Sequence, residues 1–184
     1  KSKYKFKGEY NRSIWLNGSA PLPMFILSYQ GLPAGSRDAY ILDILSGVLA
    51  DGKSSYLQQE FVHTQKPILS SVYAANYTLQ HSGVFFVGGE LIKGVGLNTV
   101  KKRLIKAIAK ACSEATTVRN VRKIKNQYLV DFYAGLESNA GLASLLGNSY
   151  VYYGDHMHFL EELEIYKSIQ PEEVRKACKK YLQV

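Results

Sequence analysis

Four histidines and fifteen acidic residues are available for acid–base or metal chemistry in this 184-residue chain. Their tightest grouping is Asp155-His156-Met157-His158-Phe159-Leu160-Glu161-Glu162. His158 and Glu162 are four positions apart, so a helix sets them one turn apart on one face. An imidazole and a carboxylate so placed supply half of a metal site. The simpler reading, which we prefer, is a solvated helix start, where exposed N–H groups favour acids. Nucleophilic catalysis of the Ser-His-Asp type needs an elbow such as G-x-S-x-G, and the chain has none. Gly88-Gly89 with Gly94 and Gly96 lacks the strand-to-helix G-x-G-x-x-G setting of a phosphate loop and reads as a bulge or a flexible rim.

The charge balance is 23 − 15 = +8. Lys101, Lys102, Arg103, Lys106 and Lys110, and then Arg119, Arg122, Lys123 and Lys125, fall mainly off the apolar stripes of two helices. Such runs are solvated faces more often than binding stripes. Tyr150, Tyr152 and Tyr153 cluster, and Tyr73 and Tyr77 share a strand face. Aromatic groups beside cations can stack bases, but no recognisable nucleic-acid module accompanies them, so no nucleic-acid partner is expected. Cys112 and Cys178 lie in helical patterns; two buried free thiols is the preferred reading, with a disulfide between the two helices as the alternative. Hydrophobic residues make up 46% and charged residues 21%, as in a globular domain with a real core. The longest apolar runs fall far short of the roughly 20 residues a spanning helix needs, so no membrane insertion is expected.

These groups must be positioned by the elements around them. Residues 1–11 are basic and tyrosine-rich and read as a linker or an edge strand; residues 12–184 read as a single lobe. A short strand is expected over Arg12–Leu16, and a second over Met24–Tyr29. Ser36 caps an amphipathic helix from Arg37 to Leu49 that stops at Asp51-Gly52. A short helix follows to about Val62, and then a hairpin of Ile68–Leu79 with Val84–Ile92, bulged at Gly88-Gly89. The second half is helical. Its helices begin near Val100, after Thr116-Thr117, near Ser138, near His156 and at Pro171. The layout is α+β: an antiparallel-rich mixed sheet covered on one face by helices.

One set of motifs is more specific. Asp38-Ala39-Tyr40 leads into Leu42-x-x-Leu45-Ser46-x-x-Leu49 and then Asp51-Gly52-Lys53-Ser54-Ser55-x-Leu57. Lys125-Asn126-Gln127, Leu136-Glu137-Ser138, Gly141-Leu142-Ala143 and Tyr153-Gly154-Asp155 follow in order. Ile169-x-Pro171-Glu172-Glu173-Val174 and Lys180-Tyr181-Leu182 close the chain. Together, over residues 9–184, these resemble the C-terminal, non-catalytic domain of the pitrilysin/insulinase family of zinc metallopeptidases, the inverted zincins. The resemblance implies the mitochondrial-processing-peptidase-like lobe fold, cut before its last strand, in a piece of a longer protein.

Members of that family pair two homologous lobes in one chain or in two subunits. The catalytic lobe carries His-x-x-Glu-His on its first helix, where both histidines hold zinc and the Glu acts as general base. The first helix here has no His and no Glu, and the run from His158 ends in Glu162 where the motif needs His. The resemblance therefore implies no catalytic and no metal residues in this chain, with zinc in the partner lobe. It implies two partners, a homologous catalytic lobe and a peptide substrate, with the net charge inviting acidic peptides. Related lobes supply an Arg and, seven residues on, a Tyr to hold the substrate backbone. Counting places His63 and Ser70 at those positions, and a shift of register at Gln65-Lys66-Pro67 would hand the second role to Tyr73. The implied function is a substrate-enclosing lobe of a peptide-degrading or peptide-processing enzyme; the alternative is a structural or assembly domain without proteolysis. Periplasm and cytoplasm are both open.

Overall fold

The computed structural model describes residues 12–19 and 21–182; the linker or edge strand expected over residues 1–11 lies outside them. The order is β1 (Met24–Gly31), α1 (Arg37–Ala50), α2 (Tyr56–Phe61), β2 (Leu69–Thr78), β3 (Gly83–Leu91), α3 (Leu97–Glu114), α4 (Val118–Leu136), α5 (Asn139–Tyr153), α6 (His158–Ser168) and α7 (Pro171–Tyr181). The three strands form one antiparallel sheet in the order β1-β3-β2, with β3 central. The architecture is α+β, with helices on one face of the sheet. Alternation decides which face: Phe85, Val87 and Val72 point into the core, while Met24, Ile26, Tyr73 and Tyr77 stay exposed on the other side.

The strand expected over Arg12–Leu16 does not form. Ile14, Trp15 and Leu16 are 67%, 67% and 88% exposed and no described strand lies beside them. A lone β-prone segment cannot satisfy its backbone groups without a neighbour. The bulge also moves. Gly88 and Gly89 keep regular register opposite Tyr73 and Val72, and the irregularity falls at Ser70 on β2. The Gly88 position serves a close approach instead: a Cβ there would stand 2.4 Å from the Tyr73 ring.

Helix α1 is the hub of the core. Ser36 Oγ accepts from Ala39 N, as the cap signal implies. Eleven of its fourteen residues are buried, so the helix expected to be amphipathic is enclosed on nearly every side. The sheet lies on one side of it and α4, α6 and α7 on the others. Gly47 lets α4 come close, since a Cβ there would stand 2.7 Å from Ile124. Arg37 reaches α7, pairing with Glu173 at 2.9 Å and hydrogen-bonding Ser168 at 3.0 Å. Glu173 also accepts from Gln170 N at 2.8 Å, so one carboxylate caps α7 and clasps α1. Gly154, at φ 77°, ends α5 in the left-handed conformation that L side chains adopt at a cost.

The cysteines correct the reading of free thiols. Cys112 on α3 and Cys178 on α7 form a disulfide across a Cα–Cα distance of 5.4 Å. Both side chains sit on the apolar stripes of their helices, and those stripes face each other across the core. A spacing of 66 residues carries no trace of that proximity.

Candidate functional site

The polar groups of α1 are engaged in structure. Asp43 accepts from Asn76 Nδ2 at 2.9 Å and from Tyr166 OH at 2.7 Å. Asn76 Nδ2 also donates to Ala39 O at 3.1 Å. Tyr40 OH and Tyr153 OH both donate to Glu162 Oε1, at 2.9 and 2.8 Å. Tyr166 lies against Tyr40 edge-on at 5.2 Å and stacks on Tyr128 at 4.9 Å. The network ties α1 to β2, α5 and α6. Burial pushes the Asp43 carboxyl up to about 6, against the opposing pull of the two hydrogen bonds. Burial likewise raises Tyr40 and Tyr166 well above the ordinary phenol value.

The near-motif at His158 disperses for the same reason. Glu162 turns inward to its two tyrosines, while His158 Nδ1 meets Glu161 at 3.1 Å and its ring packs on Tyr153 at 3.9 Å. Asp155 Oδ1 accepts from Met157 N at 2.9 Å, and His156 points to solvent. Among the described residues no three His, Cys, Asp or Glu side chains converge as metal ligands.

The candidate site lies elsewhere, at the edge of β2 that has no strand partner among the described residues. A groove of about 340 Å³ opens between α1, α4 and that strand. Ser46, Gly47 and Ala50 line it from α1, with Asp51 just past the helix end; Tyr73 and Ala74 from β2; Ile124, Gln127, Tyr128 and Asp131 from α4. Tyr73 and Ala74 are consecutive and point to opposite faces of the sheet, so a groove that touches both sits on the strand's edge. Gln127 Nε2 donates to Asp131 Oδ1 at 3.0 Å, and Lys123 Nζ is held at one end by Asp51 O and Ser54 Oγ, at 3.3 and 3.1 Å.

Of the three residues singled out from sequence, Tyr73 lines this groove, with its ring over Gly88 and edge-on to Phe86 at 6.3 Å. Ser70 sits at the bulge, exposed, and donates toward Glu90 on β3 at 3.3 Å. His63 is exposed in the turn after α2. Neither His63 nor Ser70 lines the groove. Asp43, Asn76 and Tyr166 escaped the sequence reading. The signal for them was one acid, Asp43, in the middle of an otherwise Leu-rich apolar run.

The helices cover one face of the sheet, and the first of them is committed to packing. The Peptidase M16 inactive-domain profile matches residues 5–128, and the chain belongs to that family. Over 113 residues it is 32% identical to the zinc protease PqqE of Helicobacter pylori, spanning 61% of this chain and 25% of that protein. Its fold is similar to a protease from Helicobacter pylori, at a TM-score of 0.80 and 24% identity over 90% of this chain and 39% of the other. It is also similar to the inactive peptidase domain of a candidate zinc protease from Bordetella parapertussis, at a TM-score of 0.79 and 20% identity over 92% and 91% of the two chains. The chain thus spans a quarter of the length of the PqqE relative. No helix among the described residues is long and apolar enough to cross a membrane.

Proposed function

We propose that this lobe forms one wall of a chamber that encloses an extended peptide, while a homologous lobe holds zinc and cleaves it. The observation that carries this reading is the groove along the edge of β2, which is unpaired among the described residues, in a chain of the M16 inactive-domain family. An extended peptide can add a strand to such an edge, where backbone hydrogen bonds supply affinity with little sequence demand. Tyr73 is the proposed side-chain contact on this wall; His63 and Ser70 are proposed as substrate contacts only beyond the groove. The catalytic lobe would lie in the same chain or in a second subunit. Its docking surface is supported by α5, which has no charged residue and exposes Leu142, Tyr150 and Val151. The Cys112–Cys178 bond supports an oxidising compartment such as the periplasm.

The same exposed face of α5 supports a second reading, a structural or assembly domain without proteolysis. Removal of this lobe from the active parent, with the catalytic lobe supplied alone, separates the two. Peptide cleavage should fall by at least about 100-fold, the scale on which lost substrate positioning acts. Cleavage at the parental rate would leave only the assembly role.

A further inference from the structure

The charged side chains that line the groove at the β2 edge are both acids. Net charge is +8, yet the ionisable side chains lining this groove are Asp51, Asp131, Tyr73 and Tyr128. Burial, and then the charges of Asp43, Asp51 and Asp131, raise the Tyr128 hydroxyl. Lys123 offsets part of this field from one end, where Asp51 O and Ser54 Oγ fix its ammonium. Beside the groove β2 has no strand partner on this side among the described residues. Gln58 Nε2 already takes Val72 O at 2.8 Å, so the length of edge left to pair begins beyond Val72, at the groove.

We infer that this groove is a specificity subsite: it receives the Lys or Arg side chain of an extended peptide that pairs with this edge of β2. The inference rests on the peptide-enclosing role and deepens it, and it reverses the preference for acidic peptides that net charge alone implies. Backbone pairing sets the register of the peptide, and Asp51 and Asp131 select the residue that points into the groove. Both acids on the rim are exposed, so the preference should weaken as salt screens them.

The test uses the 184-residue chain and two uncharged-flank decapeptides that differ only in a central Lys or Glu. Amide chemical shifts are followed by NMR as each peptide is added. The Lys peptide should bind roughly fivefold tighter at low salt, the effect of about 1 kcal/mol from part-exposed charge pairs. Its shifts should centre on Ala74 and on α4. In the Asp51→Asn, Asp131→Asn double variant the two peptides should bind within about twofold of each other, with the melting temperature unchanged. Equal binding of both peptides to the parent, preference for Glu, or shifts confined to another face would each overturn the subsite. None of these results touches the lobe-removal experiment, so the enclosing role can stand while the basic preference falls.

Discussion

Asp43 is the residue whose chemistry most constrains the lobe. Its carboxyl is raised from 3.8 to about 6, so the folded state binds this proton more tightly than the unfolded chain does. Stability from this group is therefore full below pH 3.8, falls as pH rises, and is lost above about 6. The gap corresponds to about 3 kcal/mol at most. Asp43→Asn keeps a hydrogen-bonding side chain without the titration. Urea denaturation at pH 4 and pH 7 should show the variant gaining on the parent by roughly 2 kcal/mol as pH rises. A difference independent of pH would mean that Asp43 is not the titrating group. Gly47 is constrained by space alone, because Ile124 occupies the volume a side chain would need. Gly47→Val should cost about 2 kcal/mol or more through overpacking, read as a lowered denaturation midpoint at unchanged slope.

Between elements, the strongest single tie is the bond from α3 to α7. It closes a loop of 66 residues that includes α4, α5 and α6. Restricting the unfolded chain over that length stabilises by about 4 kcal/mol on the loop-entropy scale. Thiol titration of the unfolded, unreduced protein should find no free cysteine, and reduction should lower the unfolding free energy by roughly 2–4 kcal/mol. Free thiols before reduction would restore the reading that the sequence alone favours. Glu173 is a smaller tie that acts twice, on the cap of α7 and on Arg37 of α1. Its pairing holds this carboxyl below the usual range, chiefly through the Arg37 hydrogen bond.

At the scale of the whole molecule, the lobe presents two unlike surfaces: a charge-free α5 with exposed apolar side chains, and an edge groove lined by acids. If zinc belongs to the companion lobe, metal analysis of this chain after dialysis against buffered zinc should find well below one ion per molecule. A tightly held stoichiometric ion would overturn the non-catalytic assignment. The sequence by itself determined the family, the helix starts at Ser36, Thr117, Ser138 and Pro171, and the β2–β3 hairpin, because caps, turns and apolar periods are local properties of the chain. The ordered motifs from Asp38 to Leu182 also carried the absence of His and Glu from the first helix. The rest depended on contacts between distant segments. Arg12–Leu16 has strand propensity but no strand to pair with among the described residues. Cys112 and Cys178 meet only because α3 and α7 pack together. Tyr73 joins Asp51 and Asp131 only where the edge of β2 passes between α1 and α4. Local chemistry chose the elements; packing decided which side chains share a site, since burial, pairing and electrostatic fields arise from neighbours that the linear order does not record.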